Sequence, residues 1–400
     1  MSTTESNRIV VTGMGAVSAL GWSVPAMWDA LLRGKCGIRP LTKLDPEKHR
    51  IKHAAEAPPP PEDRNADSHL DPALQFPLAA GREALEQSGV SQKEKHGIAL
   101  VLGSNFGAMA SVERMFAGAS ESVSCVLMDD VTNQVAKELE LGGIRSTLSL
   151  SCASGNAAIG RAVELIRSGE AQIVLAGGYD AISELVWAGL CSLRAMSSDA
   201  LRPFDARRDG TIFGEGAGLL VLESADSAHA RGAESLAEVL GYATDSDAFH
   251  MTHPDPNGAG MARVMAAALR DSGIEPEQVD HINAHATGTQ YNDRLETAAI
   301  KSVFGDHACE MPICGAKAML GHAMGAASSL EAIATIMTIR KKIVPPTIGL
   351  DESDPDCDLD YVPLVARETP VRIALNNSAG FGGCNASTIF KSTNYARRGG

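Results

Sequence analysis

The sequence predicts an α/β fold in which one layered unit of strands and helices occurs twice. Three observations carry that expectation. Short apolar runs alternate along the chain with amphipathic stretches of helical period, the pattern of a sheet covered by helices. Glycine is abundant, 39 of 400 residues, and supplies the tight turns such alternation needs. Two segment pairs also recur in the same order. Residues 84–90 (ALEQSGV) return as 268–274 (ALRDSGI), offset by 184; Gly155, Ala157, Ala162 and Ile166 return as Gly325, Ala327, Ala332 and Ile336, offset by 170. Either pair alone is compatible with chance among Ala-rich helices, but two pairs in one order favour duplication. Duplicated halves usually pack about a pseudo-twofold axis. The helix after Cys152 and the helix after His322 would then be counterparts around one central site.

Taken in order, the β-branched run at 8–12 reads as the first strand and Pro25 opens a helix over 25–33. A helix over 73–87 ends at Gly89 and leads to an apolar strand at 97–102. A helix over 132–141, a strand at 147–150, a helix over 154–167 and strands at 173–176 and 218–222 complete the first unit. The second repeats the rhythm: strand 237–242, helix 260–271, strand 281–284, helix 293–304, helix 325–340, and strands 372–375 and 386–390. The proline loop 58–61 and the acidic loop 351–358 are too short to be domain linkers. The expected halves are 8–235 and 236–391.

Composition narrows the function. At 44% hydrophobic and 21% charged residues the chain is ordinary globular protein, not a disordered tail or a coiled coil. Aromatics at 4% are too few for a stacking nucleic-acid binder. The net charge of −14 means that any acidic partner must find a local basic patch. The amino-terminal MSTTESNRIVV is not a secretory signal. No apolar run reaches the ~18 residues of a membrane span; the richest, 98–110, is broken by Ser104 and Asn105. Eight cysteines (36, 125, 152, 191, 309, 314, 357, 384) form no CxxC pair and no metal-ligand spacing, which points to reduced thiols in the cytoplasm and to no bound metal.

Cys152 lies where an apolar strand runs directly into a helix. Unpaired N–H groups and the helix dipole at such an elbow favour a thiolate and can cradle an oxyanion; the plain alternative is a small residue at a tight turn. His285 and His322 sit at strand or loop ends among Gly and small residues, where a side chain can reach a cavity. A lone histidine is more often structural, but two placed this way beside an elbow cysteine point to thiolate chemistry on an acyl group. The stretch 376–385 (NNSAGFGGCN) reads as a Gly-rich turn between strands, and no Lys-Ser/Thr follows it as in a phosphate-binding P-loop.

Together these landmarks resemble the β-ketoacyl-[acyl-carrier-protein] synthases of the thiolase superfamily, most closely the synthase I/II elongation type. They include Val10-Val11-Thr12-Gly13-Met14-Gly15, the Cys152 elbow, Ala176-Gly177-Gly178, Arg202-Pro203-Phe204-Asp205, Arg208-Asp209-Gly210, Gly214-Glu215-Gly216-Ala217-Gly218, His250-Met251-Thr252, Asn283-Ala284-His285, Asp293 with Glu296, Lys317 with Gly321-His322, Pro345-Pro346-Thr347, and Gly380-Phe381-Gly382-Gly383. The resemblance covers about residues 8–391. It implies a thiolase-like fold of five layers, αβαβα, working as a dimer.

It further implies a decarboxylative Claisen condensation without a bound cofactor, the substrates being carried on the phosphopantetheine of an acyl carrier protein. Cys152 matches the residue that takes the acyl group. His285 and His322 match the histidines that assist decarboxylation and stabilise the enolate. Lys317 matches the family lysine and Glu331 its acidic partner; a purely structural ion pair is the other reading of Lys317. Thr287 and Thr289 match hydroxyls that hold the pantetheine arm. The N–H groups of Cys152 and Phe381 match the oxyanion hole, and the Phe381 ring, between Gly380 and Gly382, matches the gate over the acyl pocket. Arg202 matches a carrier-contacting arginine with Arg207 nearby, while Arg208 is expected in an internal ion pair.

Three departures stand out. Ala379 replaces a usual Phe, Cys384 a usual Thr, and the 107–145 stretch is shorter than in elongation enzymes. They leave the catalytic trio intact but open the substrate to specialised polyketide-like chains as well as fatty acids. Ala379 is expected to widen the entrance to the site unless the 107–145 stretch fills the space. Two other functions compete: a non-catalytic chain-length partner in a heterodimer, against which Cys152 argues, and a coenzyme A thiolase, which would use Cys384 as a second catalytic thiol.

Overall fold

Five strands from each half of the chain join into one ten-stranded sheet. The computed structural model describes residues 8–62, 70–118 and 127–393, so Cys125 and part of the 107–145 stretch lie outside the described residues. From one edge the strands run Arg145–Leu148, Ala99–Gly103, Ile173–Asp180, Gly216–Ser224, Ile9–Val17, then Ala237–Ser246, Cys384–Lys391, Ile373–Gly380, His281–Asn283 and Ile313–Cys314. In each half the first two pairings from the edge are parallel and the next two antiparallel. The halves meet where Ile9, Val10 and Val11 pair antiparallel with Val239, Glu238 and Ala237. The chain therefore writes the same five-strand unit twice, as the internal repeats imply.

Alternation along the strands builds the layers. Val174, Ala176, Leu220 and Leu222 point to a central core with Ala158, Ile159 and Val163 of helix Ser154–Arg167 and Leu330 and Ile333 of helix Ala327–Lys341. Their neighbours Ile173, Leu175, Leu219 and Val221 point the other way, onto helices Pro72–Ser88 and Met128–Glu138. In the second half Ala374 and Phe390 face the central core, while Ile373, Leu375 and Ile389 face helices Ala259–Ser272 and Asn292–Phe304. The result is αβαβα. Helix Ala327–Lys341 is buried from Ala327 through Ile339, as its nearly all-round apolar and small-residue sequence requires. Among the described residues no helix is long and apolar enough to cross a membrane.

The expected elements are present, with two instructive differences. The first strand does not stop at Thr12 but runs to Val17, because its glycines serve close packing: a Cβ on Gly15 would stand 1.9 Å from the carbonyl oxygen of Ala80 on the covering helix. The strand expected to end at Leu375 continues to Gly380, so the turn is confined to residues 381–383. Its polar residues Asn376, Asn377 and Ser378 are buried and answered: Asn376 Nδ2 donates to Asn156 Oδ1 at 2.9 Å and Asn377 Nδ2 to Glu296 Oε1 at 2.7 Å.

Candidate active site

Cys152 stands at the junction of strand and helix. Ser151, in the left-handed region at φ +51°, turns the chain, and Cys152 follows, with Ala153 as the residue before helix Ser154–Arg167. The Ser154 hydroxyl braces the elbow: it donates to Ser151 O at 2.6 Å and accepts from Leu150 N at 2.8 Å. The thiol is buried and receives the Phe381 backbone N–H, with the Ser151 hydroxyl 3.9 Å away. Gly380 must be glycine, since a Cβ there would stand 2.9 Å from the Cys152 nitrogen.

Burial overrides the helix N-terminus. It pushes the Cys152 thiol up to about 11, against the lowering effects of the Ser151 hydroxyl, the Lys317 charge and the Phe381 N–H. The thiolate expected from the elbow position is therefore not the resting form; the unliganded site holds a neutral thiol.

His285 and His322 are buried beside each other, ring centroids 5.5 Å apart and nearly perpendicular. Each has its Nδ1 spoken for. Met324 N donates to Nδ1 of His322 at 3.2 Å. Lys317 Nζ lies 3.2 Å from Nδ1 of His285, 2.6 Å from the His285 carbonyl oxygen and 2.6 Å from Glu331 Oε1, one acceptor for each ammonium hydrogen. These partners assign the proton to Nε2 on both rings. Burial and the Lys317 charge hold both histidines well below the usual imidazole range, so both are neutral donors. The Lys317–Glu331 pair is itself buried, and that burial pushes the Glu331 carboxyl up.

Two further carboxylates organise the site, and sequence reasoning assigned neither a role. Asp180, at the end of strand Ile173–Asp180, accepts from Ser104 Oγ at 2.7 Å, from Asn105 and Phe106 N at 3.1 Å, and from Gly325 N at 2.7 Å. It thereby ties the loop after His322 to the loop at 104–106. Burial raises its carboxyl to about 6 despite these donors. The signal was available: an Asp two residues after Ala176-Gly177-Gly178, at the end of an apolar strand. Glu296 accepts from His285 N at 2.7 Å and Ala286 N at 2.8 Å, fixing the turn that presents His285.

One cavity of about 390 Å³ joins these groups. Cys152, His285, His322, Gly380, Phe381 and Gly382 line it, as do Thr287 and Thr289, whose hydroxyls lie 3.0 Å apart. Ala379 is on the wall, and no described residue of the 107–145 stretch joins it there. The Phe381 ring packs against a cluster that includes Val186, Trp187 and Met196, whereas Ala379 belongs to a different cluster, with Met261. Cys384 is half-buried and does not line the cavity. The arginines lie apart from the reacting groups. Arg202 pairs with exposed Asp199 at 2.6 Å. Arg207 is held by Asp205 and Asp351 at 3.0 Å each and by Glu352 at 3.4 Å, and Arg208 by Asp354.

Comparison with known proteins follows the same lines. Residues 6–228 match the family description "Beta-ketoacyl synthase, N-terminal domain" and residues 236–351 match "Beta-ketoacyl synthase, C-terminal domain". The chain is 37% identical to the 3-oxoacyl-[acyl-carrier-protein] synthase 2 of Synechocystis sp., covering 98% of this chain and 99% of that one. It is also 37% identical to the Coxiella burnetii protein of that name, covering 96% and 98%. Among solved structures, "The ishigamide ketosynthase/chain length factor" superposes with a TM-score of 0.89 at 38% identity, over 97% of this chain and 99% of that one. The type II polyketide ketosynthase AntDE, in complex with the acyl-carrier protein AntF, gives 0.86 at 32% identity over 97% and 99%.

Proposed function

The chain belongs to the beta-ketoacyl synthase family, and from that premise we propose which of its residues perform the condensation and on what. The enzyme is a condensing acyltransferase with the thiolase-like fold. In our reading the half 8–235 supplies the nucleophile and the half 236–391 the two histidines.

Cys152 sulfur attacks the thioester carbonyl of an acyl carrier protein. The oxyanion takes the N–H groups of Cys152 and Phe381, the carbon–sulfur bond to the phosphopantetheine breaks, and the departing thiolate takes up the proton lost from Cys152. Malonyl-carrier protein then enters. Its carboxyl–methylene bond breaks, carbon dioxide leaves, and the electron pair stays as a thioester enolate. The enolate oxygen accepts from Nε2–H of His285 and His322. The methylene carbon attacks the Cys152 thioester, forming the new carbon–carbon bond and releasing the sulfur. Lys317 and Glu331 position His285 rather than exchange protons with substrate. Thr287 and Thr289 hold the pantetheine amides, and no cofactor of the enzyme's own enters these steps.

The observation that carries this reading is the single cavity joining a buried thiol to two imidazoles that both present N–H. Cys384, off the cavity wall, does not supply a thiolase's second thiol there. The partner is an acyl carrier protein, in fatty-acid or specialised polyketide-like elongation, and the enzyme works in the cytoplasm as a homodimer or beside a chain-length-factor-like subunit. Arg202 is the first docking candidate, because an exposed ion pair is worth little and can exchange partners; Arg207, gripped by three carboxylates, is the weaker one. The test is intact-protein mass spectrometry after incubation with a panel of acyl-carrier proteins. Wild-type should gain one acyl group, which Cys152→Ala should abolish, and malonyl-carrier protein should discharge it. An acyl group on another cysteine overturns the assignment.

A further inference from the structure

The cavity wall carries a buried hydroxyl that no step of the condensation uses. Thr211 lines the cavity and is buried, and among the described residues its Oγ1 meets no hydrogen-bond partner. Other buried polar side chains on that wall are bonded. Thr287 meets Thr289, Asn292 donates to Asp293, Asn385 donates to Asp247, and both histidines are held at Nδ1. A buried hydroxyl without a partner carries its full desolvation cost, so it calls for a partner that arrives from outside.

The backbone fixes where that hydroxyl stands. Gly210 N donates to Gly288 O at 3.1 Å, which sets the segment beside the turn that carries Thr287 and Thr289. Two residues on, Ile212 O accepts from His322 N at 2.8 Å. Thr211 itself is held on both sides, its N–H donating to Ala195 O and its carbonyl accepting from Ser197 N, each at 2.9 Å. Side chains alternate along this extended segment. Thr211 and Phe213 face the cavity, whereas Ile212 packs the other way with Leu201 and Ala318. The Phe213 ring lies 5.2 Å from the His322 ring. Thr211 is therefore midway along a wall that runs from the two threonine hydroxyls to the imidazoles.

The chemistry of the arriving group follows from that place, and rests on the condensing reading above. There the pantetheine amides lie at Thr287 and Thr289, and the thioester oxygen lies at the imidazoles. The acceptor that a malonyl thioester still has to offer is its carboxylate. A hydroxyl donates to it in a charge-assisted bond. A fixed cation would stabilise the carboxylate against its own loss, because ground-state binding of a group that leaves does not speed its departure. A neutral hydroxyl among the apolar side chains of Phe213, Ala379 and Met261 holds the group more lightly. We propose that Thr211 binds the carboxylate of the incoming malonyl group and so selects the extender thioester for the acylated enzyme.

The test compares the whole enzyme with Thr211→Val, which keeps the shape and removes the hydroxyl. Acylation of Cys152 by acyl-carrier protein is followed by intact-protein mass spectrometry, and condensation is followed against malonyl-carrier protein concentration. Thr211→Val should raise the KM for malonyl-carrier protein by about 10-fold, the scale of one charge-assisted contact. Its kcat should not fall, because the bond is given up as carbon dioxide leaves. The acylation rate should hold, and Thr211→Ser should keep a KM near that of wild-type. Thr211→Val should also melt no lower than wild-type, since the lost hydroxyl has no partner within the fold. An unchanged KM in Thr211→Val overturns the proposal, as does a lower melting temperature. A fall in acylation without a change in the malonyl KM overturns it too, and assigns the hydroxyl to the acyl chain. All three leave the condensing reading standing. Wild-type that is not acylated, or that is acylated and not discharged by malonyl-carrier protein, overturns both.

Discussion

Lys317 meets His285 twice, its ammonium lying 2.6 Å from the carbonyl oxygen and 3.2 Å from Nδ1 of that residue. The two contacts fix both the position of the turn and the tautomer of the ring. Lys317→Met should therefore lower condensation roughly 100-fold, the usual scale for a misplaced proton donor, while Cys152 is still acylated. It also strands Glu331 as a buried, unpaired carboxylate, which costs about 3–5 kcal/mol. Adding Glu331→Leu should recover most of the melting temperature and none of the condensation. If condensation returns with stability, Lys317 is a structural ion pair and nothing more.

The histidines predict the acid limb of the rate profile. Burial and the Lys317 charge depress both, so their neutral, donating form persists below the ordinary imidazole range. Wild-type condensation should stay flat as pH falls from 8 through 6.5. In Lys317→Met one depressing charge is gone, so the residual activity should begin to fall at higher pH than in wild-type. His285→Ala and His322→Ala should each lower condensation by more than ~100-fold, with self-acylation surviving in at least one. Near-normal condensation in both variants removes these residues from the mechanism.

The neutral thiol has its own signature. With Cys152 pushed up to about 11, its thiolate fraction grows through the whole accessible range. Labelling of Cys152 by iodoacetamide, followed by peptide mass spectrometry, should accelerate about tenfold per pH unit from 7 to 10. A plateau below pH 8 would show that the helix N-terminus, not burial, sets the resting state.

Ala379 predicts selectivity. Its methyl lies on the cavity wall with Met261 and with its cross-strand partner Asn385, and nothing described in the 107–145 stretch fills that space. The enzyme should accept rigid, branched or polyunsaturated acyl groups. Ala379→Phe should lose those substrates and keep straight saturated ones, measured as acyl transfer from matched carrier proteins. Equal loss of both would mean a clash with catalysis, and unchanged preference would mean that Ala379 does not shape the pocket.

Much of this was legible from residues alone. Apolar runs located the nine main strands, and the Gly-terminated helix ends at Gly89 and Gly273 are both left-handed caps. Cys152, His285 and His322 could be picked out because each sits in a short run of small residues. Asp180 and Glu296 received no role from the sequence, because the contacts that show it reach partly into distant segments: Ser104 and Gly325 for one, Asn377 besides the nearby His285 and Ala286 for the other. Only the sheet order brings them together. The state of Cys152 was misread for a related reason. Its position at a helix start is local and visible, whereas its burial is made by the whole fold. The acidic loop 351–358, read from the sequence only as too short for a linker, anchors Arg207 and Arg208 through Asp351 and Asp354.

The closeness of the two central helices bears on how such an enzyme can be altered. Their first turns touch: a Cβ on Gly155 would stand 2.7 Å from the Ser329 nitrogen, and Asn156 N donates to Ser328 Oγ at 3.0 Å. One helix begins beside the nucleophile and the other follows the His322 loop, so a change made to improve acyl capture also shifts the proton donors. Substitutions across that contact will be strongly epistatic. A library that varies one helix start at a time will record mostly losses, and gains should appear only where residues 155–156 and 328–329 are varied together.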